Sequence, residues 1–241
     1  MFSRIVHSLV VLLSLALFTS TASAQLFTGT YSAGVSVGYS TFSMEQLKDM
    51  QRELKRQYPV DMKILEEFPG YWNYNASFLI YQDERYYGWV VGHTSTGGRL
   101  YYSDYTGHIA SDQIVTMTYT GAIMAKTVSS NEIVNVLLGA QGLLYFNKLK
   151  LVEARKVYDE NSLVVELFNS RCLALQGFVE LQKAINKFQL KLQAGYEVQL
   201  PGQLLYQNRK DYYMVNSSNE KVRLNAGGIR TSLGIHYAIT Q

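Results

Sequence analysis

The chain has 241 residues, with 22 Lys and Arg against 19 Asp and Glu, a formal charge of +3, 17% charged residues and 13% aromatics. Such apolar content excludes a disordered chain. The small, dispersed charge excludes a nucleic-acid binder. The single cysteine, Cys172, excludes an internal disulfide framework and a Cys-based zinc site.

Taken in chain order, Met1–Ala24 has the three parts of a secretory signal peptide. Arg4 is followed by an apolar run from Ile5 to Phe18, and Ala22-Ser23-Ala24 forms a small-x-small cleavage site before Gln25. The expectation is export, with one mature domain over 25–241. Beyond this leader no apolar run approaches the ~18 residues of a membrane-spanning helix.

From Tyr31 to Tyr39 the sequence alternates. Tyr31, Ala33, Val35, Val37 and Tyr39 face Ser32, Gly34, Ser36 and Gly38, the period of a strand with two unlike faces. Phe188–Leu200 and Ile229–Ile239 repeat the pattern. Five weaker strands are expected near 72–81, 86–94, 113–126, 133–147 and 163–182. The connections between these eight strands alternate in length. Short ones fall near 82–85, 127–131 and 182–187, and long ones near 42–71, 95–112, 148–161 and 201–227.

Within the first long connection, Ser43–Tyr58 has helical rather than strand periodicity. Leu47, Met50, Leu54 and Tyr58 recur on one face, Ser43 and Gln46 read as a capping box, and Pro59 ends the run. This amphipathic helix is expected either to pack as a lid on its own barrel rim or to dock a partner protein or anionic headgroups.

Eight up-and-down strands with short turns at one end and long loops at the other match the plan of a bacterial outer-membrane barrel. Alternation alone leaves open which face is outside, and a soluble secreted barrel has the faces reversed. The non-apolar faces are rich in Gly, Ser, Thr and Gln and poor in charge, which a solvated exterior is not. Over Gln25–Gln241 the chain resembles the small eight-stranded outer-membrane barrel proteins, the group that includes the OmpA and OmpX barrels. The resemblance rests on pattern and topology. It implies an all-β, antiparallel transmembrane barrel in the bacterial outer membrane, with both termini periplasmic and with lipid and lipopolysaccharide around it. Many such barrels end in an aromatic residue, whereas this chain ends Tyr237-Ala-Ile-Thr-Gln241.

With apolar faces outward, Glu180, Lys187, Lys191, Glu197, Arg230 and His236 are expected to point into the lumen. Setting Lys187 opposite Thr240 brings Glu197 level with Arg230 and Lys191 level with His236. Glu197 and Arg230 are then expected to form an interior ion pair, because an unpaired buried charge is costly. An eight-stranded lumen is just wide enough for side chains to fill. A plugged interior and a small passive pore both stay open.

The three histidines of the mature chain are scattered, so neither metal nor cofactor is expected. His93 and Ser95, followed by Asp104, supply base, nucleophile and orienter types near a rim. They loosely resemble the His-x-Ser arrangement of outer-membrane lipid A deacylases, which implies a hydrolase as a minor alternative. Tyr101, Tyr102 and Tyr105, with Tyr206, Tyr212 and Tyr213, are expected on outward loops as a contact surface, where Tyr offers area at low entropy cost. The leading reading is a non-enzymatic structural or accessory barrel whose loops meet a partner or ligand.

Overall fold

The alternation of Tyr31–Tyr39 becomes strand β1 (Thr30–Ser40) in the computed structural model, which describes residues 30–239 apart from 132, 159, 208 and 210. The expected signal peptide lies outside the described residues. Next come helix α1 (Glu45–Gln57), β2 (Lys63–Glu67), β3 (Tyr71–Gln82), β4 (Arg85–Asp104), β5 (Gly107–Ser130) and β6 (Asn135–Val157). They are followed by β7 (Glu160–Ile185), β8 (Phe188–Gln199), β9 (Gly202–Gln203), β10 (Leu205–Tyr206), β11 (Arg223–Leu224) and β12 (Gly228–Ile239).

Eight strands close the antiparallel ring β1–β3–β4–β5–β6–β7–β8–β12, and β12 pairs back onto β1 from Tyr31↔Ile239 to Ser40↔Arg230. Closure satisfies the backbone polar groups within the ring, which a hydrocarbon environment demands. Tight turns join β3 to β4 and β7 to β8. Asp83 and Asn186 there take positive φ (54° each), which Asp and Asn tolerate better than other side chains.

Two of the expected long loops are strand instead. Residues 95–104 and 107–112 continue one ladder and 148–157 and 160–161 the other, with β4 paired to β5 up to Asp104↔Gly107 and β6 paired to β7 up to Val157↔Glu160. These extensions lack the apolar-against-polar contrast that marks a strand, because they rise above the apolar belt and expose both faces near their tips. The β4–β5 extension is flanked by β2, which pairs with the edge of β4, and is covered on its inner side by the packing of Met62 against Leu100 and Ile109.

Helix α1 is shorter than expected, and the capping box does not form. Met44 caps it in a left-handed conformation (φ 47°) without a side-chain bond. Ser43 Oγ donates to the Asn225 carbonyl (3.0 Å), and Gln46 Oε1 accepts from the Arg223 N–H (2.6 Å). Both side chains of the expected box therefore tie the helix to the 200–227 loop. Tyr58 is extended (ψ 138°), as the residue before a proline must be, and this stops the helix. The helix buries Leu47 and Met50 in the mouth, and Gln51 Nε2 donates to the Glu66 carbonyl (2.9 Å).

The outside of the ring is an apolar belt. Val35 (60% exposed) and Leu192 (51%) stand on it with Trp89, Val91, Leu233 and Ile235. Aromatic pairs mark its two ends, Tyr39 edge-on to Trp72 above and Phe188 against Tyr237 below. A closed sheet with such a belt spans a membrane, and membrane-spanning barrels of this kind belong to the bacterial outer membrane. No described helix is long and apolar enough to cross a membrane.

Candidate functional site: the lumen and the outward rim

Inward positions on β7, β8 and β12 carry ionisable side chains, and the register sets their levels. It differs from the expected one by two residues. Glu197 lies opposite Gly228, Arg230 opposite Gly195, Lys191 opposite Gly234, and Gln189, not Lys191, opposite His236. A shift of two keeps every side chain on its face. The ladder runs out at Phe188↔Tyr237, so Lys187 falls in the β7–β8 turn and is exposed rather than in the lumen.

Arg230 and Glu197 meet diagonally, Nη2 to Oε1 at 3.0 Å, across the space left by Gly195 and Gly228. Glu197 Oε2 also accepts from the Tyr145 hydroxyl (2.7 Å). The guanidinium donates further to the carbonyls of Ala226 (2.7 Å) and Thr41 and lies 5.1 Å from the Phe42 ring centre. Tyr119 packs against Tyr145 (4.8 Å between centroids) and donates to Asn75 Oδ1.

Nearer the short turns, Lys191 Nζ lies 3.1 Å from Glu180 Oε1, while Glu180 Oε2 accepts from the Tyr86 hydroxyl (2.9 Å). This ion pair is one of distance, since neither Nζ nor Oε1 has an aligned hydrogen-bond partner. The ammonium also sits 4.3 Å above the Tyr86 ring and 5.5 Å from Tyr81. His236 is held between Ser32 (3.4 Å) and Ser77 (3.3 Å).

Between the two pairs lies a cavity of ≈ 50 Å³ bordered by Gln141, Gln176 and Gln193, with room for a few waters. Above the upper pair the lumen is packed with apolar side chains. Met44, Leu47, Phe42, Leu204 and Leu224 fill the mouth against Met117, Leu149 and Phe168 of the wall. Sequence reasoning missed the interior hydroxyls of Tyr86, Tyr119 and Tyr145. Their signal was parity, since Tyr86 alternates with the outward Tyr87 and Trp89.

The structure does not bring His93, Ser95 and Asp104 together. His93 is exposed on the outward face, with Nδ1 3.2 Å from Thr118 Oγ1. Asp104 lies at the β4–β5 tip, about 30 Å beyond Ser95 along the strand at ~3.3 Å per residue. It accepts there from the Tyr102 hydroxyl (2.9 Å), the Thr106 hydroxyl (2.6 Å) and the Thr106 N–H (2.8 Å). These bonds, the Thr106 hydroxyl first, hold its carboxyl below the usual carboxylate range. No cluster of three or more metal-ligating His, Cys, Asp or Glu side chains occurs among the described residues.

The six tyrosines form two separate groups rather than one surface. On the β4–β5 hairpin, Tyr101 stacks on His108, Tyr102 bonds Asp104, and Tyr105 is 97% exposed. On the last loop, Tyr206 packs edge-on to Phe168, Arg209 covers Tyr212, and Lys221 lies 3.6 Å from the Tyr213 ring centre. No ring stacking joins the two groups among the described residues.

No protein-family model matches the sequence, and no curated protein matches it. Among solved structures the chain is similar to the surface protein NspA of Neisseria, at 11% identity over 87% of this chain and 97% of that one, with a TM-score of 0.34. It is similar to Ail, the attachment invasion locus protein of Yersinia pestis, at 12% identity over 86% and 98%, TM-score 0.32. It is also similar to the outer membrane protease OmpT of Escherichia coli, at 10% identity over 90% and 100%, TM-score 0.38. Likenesses this distant carry nothing about activity, and the architecture stands on the closed ladder and the belt.

Proposed function

We propose that this protein is a non-enzymatic outer-membrane barrel, structural or accessory, whose outward hairpins and last loop contact a partner or ligand, as a subunit of a larger outer-membrane complex does. The observation that carries the reading is the filled lumen. Two ion pairs, their tyrosine hydroxyls and the apolar plug beneath α1 occupy the path that a pore needs open. The separation of Asp104 from His93 and Ser95 further supports a non-enzymatic role. What remains available for interaction is the surface outside the membrane: the tips of two long hairpins and the loop against which α1 is tied.

The test is copurification from gently solubilised membranes, paired with planar-bilayer recording of the isolated protein. A partner recovered in constant proportion, together with no conductance steps, is the expected result. Reproducible open-channel steps from the folded protein would overturn the reading in favour of a passive pore.

A further inference from the structure

Above the membrane the β4–β5 and β6–β7 hairpins stand side by side as one sheet, and the register lays out its outward face. One cross-row reads Tyr101, Ala110, Ala154, Leu163. The next, nearer the tips, reads Ser103, His108, Lys156, Asn161. The two alanines leave a hollow between the taller side chains. The result is a groove of ≈ 210 Å³ lined by His108, Ala154, Arg155, Lys156, Asn161 and Ser162 together with Leu163. The Tyr101 ring stacks on His108 at 6.5 Å beside it.

Charge gives the groove its sign. Lys156 stands on this outward face, is exposed and takes part in no salt bridge among the described residues, whereas Arg155, of the other parity, turns to the inner face with Ile109. By contrast Arg99, lower on the same face, is already taken by Asp112 in a two-pronged contact (2.6 and 2.9 Å). Height narrows the ligand class. The outward face of β6 turns from Leu144 and Phe146 to Lys148, which marks the upper limit of the belt on that strand. Lys156 stands roughly 20 Å above that level for a tilted strand rising ~3.3 Å per residue. That is beyond lipid headgroups and within the layer occupied by surface saccharides.

We propose that this groove binds a single acidic sugar residue, a pyranose bearing a carboxylate or a sulfate. The volume suits one ring and is too small for a helix or a folded partner. The ring lies over Ala154 beside the Tyr101–His108 stack. Its anionic group meets Lys156 in a charge-assisted hydrogen bond, and its hydroxyls bond to Asn161. The inference rests on the reading of the outward hairpins as a contact surface and names the chemistry of one ligand there.

The experiment uses the full mature chain folded in phospholipid nanodiscs and two probes: a disaccharide ending in glucuronic acid, and the same disaccharide ending in glucose. Isothermal titration should show the acidic probe binding roughly tenfold or more tighter, with an affinity that falls as salt is raised. Lys156→Gln should lose that preference, whereas Lys156→Arg and Lys126→Gln, at the short-turn end of β5, should keep it. Equal titration of the two probes, no binding of either, or unchanged binding by Lys156→Gln would each overturn the proposal. Discs loaded with the surface glycolipid of the producing bacterium assign the source. Displacement of the probe points to the cell's own glycan, and undiminished binding points to a free saccharide. A protein that fails this titration yet still copurifies with a partner loses the groove and not the role proposed above.

Discussion

The two ion pairs of the lumen are built from the same kinds of part and do different work. Each joins a carboxylate on β7 or β8 to a cation on a neighbouring strand, and each carboxylate accepts a tyrosine hydroxyl. Around Glu180–Lys191 every contact comes from the barrel wall. Around Glu197–Arg230 the guanidinium also holds the carbonyls of Thr41 and Ala226, which begin the first outward connection and end the last. The upper pair therefore fastens the plug to the barrel, while the lower one fills space between strands. Choice of cation follows: Arg has a fixed fork of five donors for several acceptors at once, whereas Lys is a compact point charge that lies well on two ring faces.

This difference is best broken from the Glu197 side. Glu197→Gln leaves Arg230 buried and uncompensated, so it should lower stability by about 3–5 kcal/mol in urea unfolding from detergent. Glu197→Gln with Arg230→Gln should cost less than the sum of the single changes, because the pair acts as a unit. It should also increase proteolytic nicking of the 200–227 loop. Additive small effects, with the loop untouched, would mean that the pair does not hold the plug.

The contrast between inside and outside sharpens the same picture one residue away. Leu192→Arg sends a charge into lipid and should cost about 2–4 kcal/mol near the midplane. Gln193→Glu, its inward neighbour, puts a side chain of the same size into the small polar cavity that also borders Lys191 and Arg230, and should cost less. If a folding assay in vesicles ranked the two equally, the assignment of faces would fail.

Glu180→Gln comes next in size, at about 1–3 kcal/mol, the usual cost of disturbing one buried hydrogen-bonded group. Lys191 keeps its ring faces, and a stranded lysine has the option of shedding its proton, which an arginine lacks. The 200–227 loop should show no added nicking in this variant. A loss as large as that of Glu197→Gln would erase the distinction between the two pairs.

The same physics decides what the sequence can disclose. Tyr31–Tyr39, Phe188–Leu200 and Ile229–Ile239 were legible because one face meets lipid and the other does not, so apolar residues fall strictly on alternate positions. Residues 95–112 and 148–161 were not, since neither face of a ladder that rises beyond the belt is consistently buried near its tip and the alternation fades while the hydrogen bonds continue. Parity assigns Glu197 and Arg230 to one face without fixing their level. No tight turn joins β8 to β12, so the register between them is set around the whole ring rather than by a local signal. The Ser43–Gln46 box misled for a related reason: the same two side chains find partners in the last loop, remote in sequence and adjacent in space.

The smallest expected effect lies at the far end of the β4–β5 hairpin, where solvent replaces the enclosed lumen. Asp104 is fully exposed, and its carboxyl is held low by the bonds from Thr106, Tyr102 and Gly107. A carboxylate with a depressed folded-state pKa adds stability above its unfolded value and loses it as pH falls through the folded one. The turn should therefore stay ordered at pH 7 and 5 and loosen only below about pH 4, the ordinary range of an aspartate. Amide exchange at Thr106 and Gly107 reads this directly, because both N–H groups bond Asp104 Oδ1. Asp104→Asn keeps an acceptor oxygen without the titration, so it should flatten the pH dependence and leave exchange at the β5–β6 ladder unchanged. Protection that fades between pH 7 and 5 would assign the turn's order to some other group. Equal fading at Glu197 and Tyr145 would mean that the tip and the lumen do not behave as separate regions.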